Sequence, residues 1–412
     1  MRTTFSDQVM IGGHVAAGFE PVAEAFAENF RFRGERGASC AIYHRGQKVV
    51  DIWAGSQCQQ SGQPWGPETV SLVFSVTKGM AATAIAVAHA KGYFELDAPV
   101  ADYWAEFGTP RKRAITIRQL LAHQAGLITI DQHLSPSDIA DHDRMTQLLA
   151  NQEPLWQPGR MHGYHTFTLG WYQNELIRRT DPQGRSLGQF FQDEIAAPLD
   201  AQFFIGLPDR IPDEWISRTH GYPRVRALAH LNELPPGMIL SGIWPRSLTA
   251  RSVNFMRLSD PAVLANPEFR RVEIPSAGGF GQARAVARIY DALARGGDEL
   301  GLTDQTFAEL CRPAELPNAG SRDAVLKLDV AYGMGFSKPS HGFQFGSDAS
   351  AFGCPGAGGC FGMADPSAQL SFAYLTNTMS FRIFDDPRER AIREAMYRCA
   401  KSTTGIRRSL AA

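Results

Sequence analysis

The 412-residue chain has no excess of either charge, few lysines, no paired cysteines and no long apolar run, and each shortage removes a class of function. Lysine and arginine number 41 against 42 acidic residues, giving a net charge of −1 and a pI near 6.8. No field of one sign therefore draws the chain to nucleic acid, an anionic membrane or a polyanionic substrate, and a small neutral ligand fits better. The six cysteines (Cys40, Cys58, Cys311, Cys354, Cys360 and Cys399) contain no C-x-x-C pair and no regular spacing, which predicts reduced thiols rather than a disulfide framework. The least polar stretch, Met80 to Ala90, is broken by Thr83 and His89 and is too short to cross a bilayer. Met1 to Val15 lacks the apolar run of a secretory signal, so the expected compartment is the cytoplasm. Neither G-x-x-x-x-G-K-[ST] nor G-x-G-x-x-G occurs, and no nucleotide or other cofactor is expected.

What is present is a globular composition, 44% hydrophobic and 20% charged, on a chain too long for one ordinary core. Helical spacing of Val15, Phe19, Val22, Phe26 and Phe30 predicts a first amphipathic helix. Ala38 to Ile42 and Val49 to Trp53 read as strands around a turn at Arg45 and Gly46. The Ala-rich run after Ser75 predicts a helix buried on most sides and ended by Gly92. From Leu96 to about Pro245, short helical patterns such as Ile115 to His123 and Phe167 to Arg179 alternate with Pro/Gly-rich loops. Ala283 to Ala294 is helical, Ala368 to Asn377 is β-prone, and Pro387 to Ala400 is an amphipathic helix. Sheet-forming segments thus flank a helical middle. The expected division is an α/β lobe of residues 1–70 and 245–412 and a mostly helical lobe of residues 71–244.

Three segments carry chemistry. In Phe74-Ser75-Val76-Thr77-Lys78-Gly79, positions i and i+3 of a helix place the Ser75 hydroxyl and Lys78 amine on one face. Burial and the positive end of the helix dipole would lower the lysine pKa and let it act as a base. The bare S-x-x-K pattern is weak, since 25 serines and 7 lysines give about 0.4 matches by chance. It is, however, the only match in the chain, and an ordinary solvated lysine is out of place before an apolar helix. An N-capping Ser75 followed by a surface lysine has the same spacing. The second segment, Trp156 to Thr166, brings Tyr164 just before another apolar helix. A phenol beside an ammonium would have a lowered pKa and could relay a proton, whereas a half-buried structural tyrosine would look the same in sequence. His162 and His165 read as pocket or core histidines, because no zinc pattern accompanies them and no metal is expected. The third segment, Phe352 to Gly359, has glycines that let a strand backbone approach a substrate and offer N–H groups to an oxyanion, or simply form a hairpin. Gly184-Arg185-Ser186-Leu187-Gly188 matches a G-x-S-x-G elbow, but polar turn residues precede it where a buried strand is required, so Ser186 reads as a helix N-cap.

Together these segments resemble the serine β-lactamase and penicillin-binding-protein superfamily, and in particular its class C-like family VIII carboxylesterases. The resemblance also rests on Gly34-Glu35-Arg36-Gly37-Ala38, Val50-Asp51-Ile52-Trp53-Ala54-Gly55, Ile115 to Leu127, Pro158-Gly159 and Tyr164-His165, and covers nearly the whole chain. It implies an α/β (α+β) fold of the β-lactamase/DD-peptidase type, an antiparallel sheet flanked by helices with an inserted helical lobe and the third segment on an edge strand across the cleft. It implies Ser75 as nucleophile, Lys78 and Tyr164 as general bases, and the Ser75 and Ala357 backbone N–H groups as oxyanion hole. His165, Thr166, Cys354, Pro355, Gly356 and Gly358 are the expected substrate-binding residues. Penicillin-recognising relatives usually carry Asn where this chain has Thr166, and Lys-Thr-Gly where it has Cys354-Pro355-Gly356. Both losses remove groups that hold a β-lactam, favouring a small ester substrate. An amidase, peptidase or transacylase using the same acyl-enzyme, and a non-catalytic binding protein, are the alternatives. Loops between Thr129 and Pro154 and between Pro208 and Pro245 are expected to shape the pocket, and nothing in the sequence excludes a homo-oligomer.

Overall fold

The computed structural model describes residues 3–4, 9–221, 236–256 and 261–410. The second of the expected pocket loops therefore lies partly outside the described residues. Strand β1 (Met10–Val15) leads into helix α1 (Glu20–Phe32), followed by the long hairpin β2 (Gly37–His44) and β3 (Gln47–Cys58). The hairpin turn is where sequence placed it, with Arg45 and Gly46 both at positive φ (53° and 78°), the geometry that tight turns between twisted strands require. Val15 belongs to β1, not to the first helix. The strand carries Gly12 and Gly13 and has little β signal of its own; pairing with β3, from Ile11↔Ala54 to Val15↔Val50, decides its conformation.

Helix α2 (Val76–Ala90) and helix α3 (Thr168–Thr180) belong to the helical middle, and helix α4 (Ala283–Ala294) returns the chain to the sheet. The remaining strands β4 (Ala331–Gly333), β5 (Phe336–Lys338), β6 (Phe352–Pro355), β7 (Phe361–Asp365) and β8 (Leu370–Thr376) precede the C-terminal helix α5 (Pro387–Leu410). All pairings are antiparallel, in the order β1-β3-β2-β8-β7-β6-β5-β4, with short strands Thr3–Thr4 and Gln63–Pro64 added to β1 and β3. The two ends of the chain meet at the centre, where β2 and β8 pair from Ala38↔Thr376 to His44↔Leu370. Strand β6 is interior, with β5 and β4 beyond it, so the third segment is not on an edge strand; yet β5 and β6 pair only at Ser337↔Gly353, leaving residues 354–355 unpaired on that side.

The period of two along β8 separates the two cores. Leu370, Phe372 and Tyr374 pack with α1 and α5, while Ala373 and Leu375 face the other core, which contains α2 and α4. Small residues set that second approach: a Cβ on Gly362 would meet Tyr290 and Val286 at 2.8 Å. Helix α2 is buried along nearly its whole length, from Val76 to His89, as its Ala-rich, weakly amphipathic sequence predicts. A small sheet of Ser71–Leu72, Gly279–Gly281 and Phe203–Ile205 anchors the segment leading into it. All six cysteines are free thiols. Among the described residues no helix is long and apolar enough to cross a membrane.

Phe26 is fully buried against Phe30 and Tyr374, with ring centroids 5.3 and 6.4 Å away. Phe26→Ala is expected to cost about 3–5 kcal/mol, read as a lower urea midpoint with an unchanged m-value.

Candidate active site

Ser75 sits at the start of α2, half-buried, with φ −69° and ψ −4°, and its side chain makes no capping bond. The N-cap alternative is thereby removed. The residue before it, Phe74, has φ 48°, an uncommon conformation for a bulky side chain and a sign of local strain at this turn. Thr77 braces the turn by donating to the Phe74 carbonyl and accepting the Gly279 N–H at 2.9 Å.

Lys78 is 2% exposed, and its Nζ lies 3.1 Å from Ser75 Oγ, 2.7 Å from the Thr166 carbonyl and 2.9 Å from the Ser276 carbonyl. Burial brings its pKa down to about 7. The three contacts then have unequal consequences. A neutral amine has two hydrogens and one lone pair, and the two carbonyls can only accept, so they take both hydrogens. The lone pair is left for the Ser75 hydroxyl.

Tyr164 lies beside this pair, with Lys78 Nζ 4.8 Å from its ring centroid and its phenol interacting with the Ser75 side chain. Its pKa is raised by burial, against the lowering expected from an adjacent ammonium. The physical reason is that the phenol is fully buried, which disfavours its charged form, and the Ser75 hydrogen bond lowers the pKa by less than burial raises it. At neutral pH Tyr164 is a protonated phenol that can donate as well as accept.

Behind Tyr164 is a layer of buried rings. His123, at φ 59°, meets Tyr332 edge-on with ring centroids 4.4 Å apart and Tyr164 at a tilt with centroids 5.1 Å apart, and its Nδ1 accepts the His165 N–H at 3.1 Å. The two imidazoles share a 2.9 Å Nδ1 to Nδ1 hydrogen bond. Burial holds His165 down to about 3 and His123 well below its ordinary value, so both are neutral. His165 is fully buried in this layer and does not line the cleft, which corrects its expected role in substrate binding. His162 likewise donates from Nδ1 to the Ala122 carbonyl at 3.0 Å within the layer.

The third segment comes close to Ser75. A Cβ on Gly356 would meet the Val73 carbonyl at 2.4 Å and Val76 at 3.2 Å, so only glycine permits this approach. Ala357 follows as an exposed residue at the first position of a short 3₁₀ turn, Ala357–Gly359. First-turn positions leave the N–H without an intrahelical acceptor, and this holds for Ser75 and Ala357 alike; among the described residues neither N–H meets another backbone acceptor. Two unpaired N–H donors beside a serine hydroxyl can hold an oxyanion.

The other expected pocket residues divide. Pro355 is half-buried. Thr166 serves Lys78 through its carbonyl, and its hydroxyl is spent on Ser252 Oγ at 3.1 Å. Cys354 is buried against Gly79 and Tyr290, with its pKa pushed up to about 11 by burial, so it is an unreactive thiol wall. Gly358 is buried at φ 86° and its carbonyl points to Arg388, behind the turn and not into the cleft. Ser186 caps the helix Leu187–Phe191 and donates to Glu273 at 2.6 Å, as expected of a cap and not of a nucleophile. Sequence reasoning missed Ser276, Tyr290 and Arg388, which reach the site from segments with no chemical pattern of their own, and His123, which lies in the Ile115 to Leu127 segment but carries no catalytic spacing. Among the described residues no group of three or more His, Cys, Asp or Glu side chains could hold a metal ion.

A family model described as Beta-lactamase matches residues 23–396 of the chain. The chain is 31% identical over 372 residues to the esterase/beta-lactamase LipL of Mycobacterium tuberculosis, covering 88% of this chain and 81% of the relative. It is similar to the crystal structure of a family VIII carboxylesterase, with a TM-score of 0.84 and 32% identity over 94% of this chain and 99% of that one. A penicillin-binding-protein homologue from Caulobacter crescentus gives a TM-score of 0.81 at 33% identity, over 96% and 100% of the two chains.

The lowered lysine pKa has a direct readout. Below about 7 Lys78 is an ammonium with no lone pair, and above it the base is free. The rate of Ser75 labelling by a fluorophosphonate is expected to climb with pH through about 7 and then level; a flat profile from pH 5 to 9 would contradict the assignment.

Proposed function

The chain belongs to the β-lactamase family of serine hydrolases, and from that membership and the site geometry we propose that it is a carboxylesterase of small, short-chain esters working through an acyl-enzyme on Ser75. The observation that carries this reading is the direct contact of Lys78 Nζ with Ser75 Oγ at 3.1 Å. Ser75 Oγ attacks the ester carbonyl carbon while its proton passes to Lys78. The carbonyl electrons become an oxyanion held by the Ser75 and Ala357 N–H groups. As the intermediate collapses, the C–O bond to the alcohol breaks and the alcohol takes a proton through the Tyr164 hydroxyl. Water then repeats the sequence on the acyl-enzyme, releasing the carboxylic acid and returning the proton to Ser75.

The preference for esters rests on what surrounds the site. Thr166 and the buried Cys354 supply neither the side-chain amide nor the cation that would hold a β-lactam's amide and carboxylate, and the chain's near-zero net charge adds no long-range pull on an anionic substrate. The LipL relative bears both esterase and β-lactamase in its name, which makes a chromogenic cephalosporin the informative comparison substrate.

Ser75→Ala, Lys78→Ala and Tyr164→Phe are each expected to lower turnover of a short-chain aryl ester by roughly a thousandfold or more while leaving the circular dichroism unchanged. Near-normal activity in any folded variant overturns that residue's role. Free acid should be the main product even with an added alcohol or amine, and cephalosporin turnover should be far slower than ester turnover; the reverse order would make the protein a transacylase or a β-lactamase.

A further inference from the structure

Arg388, in the first turn of α5, is buried and all five of its N–H donors are committed. Nε and Nη2 donate to the two oxygens of Asp386, both at 3.0 Å. Nη1 donates to Glu35 Oε2 and the Thr378 carbonyl, both at 2.9 Å, with Thr376 Oγ1 at 3.5 Å. The last hydrogen on Nη2 goes to the Gly358 carbonyl at 2.6 Å. Glu35 is in turn fixed by the Tyr374 hydroxyl at 2.5 Å, Thr376 Oγ1 at 2.9 Å and the Arg36 N–H at 2.8 Å. A planar guanidinium with every donor satisfied has one orientation, and here it is clamped to the centre of the sheet.

Gly358 is the middle residue of the turn that begins with Ala357. That turn is closed by the Gly356 N–H on the Cys360 carbonyl at 2.7 Å and the Gly359 N–H on the Gly356 carbonyl at 3.3 Å. Gly358 and Gly359 have φ 86° and 102°, and a Cβ on Gly359 would meet Arg388 Nη2 at 2.7 Å and Asp386 at 2.8 Å. The glycine pair thus does for Arg388 on the back of the turn what Gly356 does for Val73 on the front. Burying one cation between two carboxylates is seldom a net gain in stability over apolar packing, so the geometry it enforces is the better reason for its presence.

We propose that Arg388, held by Glu35 and Asp386, is a positioning residue for the acylation step, fixing the Gly356–Cys360 turn so that the Ala357 N–H stays aimed at the developing oxyanion. The inference rests on Ser75 and Ala357 forming the oxyanion hole of the proposed esterase. Losing one such donor outright costs roughly a hundredfold or more in turnover, and letting it drift costs part of that.

The variants are Arg388→Lys, which keeps the charge and loses the fork, and the isosteric Glu35→Gln, which loosens the clamp and serves if the first does not fold. Per active site titrated with a fluorophosphonate, kcat for a short-chain aryl ester is expected to fall at least about tenfold with KM within about threefold. The inhibition constant of a boronic acid, whose adduct with Ser75 places a tetrahedral oxygen at the same N–H pair, should rise by a similar factor. A purely structural staple would lower thermal stability and leave kcat per titrated site and boronate affinity unchanged, and that result overturns the inference. Ser75→Ala in the same assay separates the two levels: if it remains active the esterase reading fails, and if it is inactive while both variants match the parent, only the role of Arg388 fails.

Discussion

The site depends on one desolvated amine. Moving the Lys78 pKa from 10.5 to about 7 corresponds to roughly 5 kcal/mol, and its sign is unfavourable. Above pH 10.5 both folded and unfolded chains carry a neutral lysine and nothing is lost. As pH falls toward 7 the unfolded chain gains a proton that the folded chain does not, so the whole penalty is present at neutral pH and below. The packing around Val76 to His89 must offset it, and does so with a helix almost entirely inside the protein. In return the fold holds a free base above about pH 7, where ordinary lysines are still charged, with two carbonyls occupying its hydrogens and a lone pair facing Ser75.

The same desolvation explains the neighbours. Burial of the Tyr164 ring outweighs its hydrogen bond to Ser75 and keeps the phenol protonated. Neutral His123 and His165 avoid placing a second positive charge beside the amine while still fixing the segment that carries Tyr164 and Thr166. Burial is thus the largest influence on base, phenol and imidazoles alike.

Glycine supplies the second half of the site. At Gly356, Gly358 and Gly359 the absent Cβ is replaced by Val73, Met379, Arg388 or Asp386, so the Gly356–Cys360 turn is pressed from both sides, by the segment leading into α2 and by the chain after β8. Pairing of β2 with β8 joins residues 37–44 to residues 370–376 at the sheet centre, and Glu35, two residues before β2, reaches Arg388 beside that junction. A site at the start of α2 is thus tied to both chain ends.

Sequence alone determined what depends on near neighbours. The Ser75 and Lys78 spacing, the buried helix after them, the Arg45-Gly46 turn, the helix Ala283–Ala294 and the capping role of Ser186 follow from periodicity and local backbone chemistry, and all appear in the structure. Tertiary structure decided the rest. Val15 became a strand residue because β3 was there to pair with it; Tyr164 kept its proton because its own ring is buried; and His165 turned away into a ring layer. Lys78 meets carbonyls 88 and 198 residues ahead of it, and Arg388 meets a carboxylate 353 residues behind it. Such contacts depend on which surfaces pack together and how much water they exclude, and neither quantity is a property of a short stretch of chain.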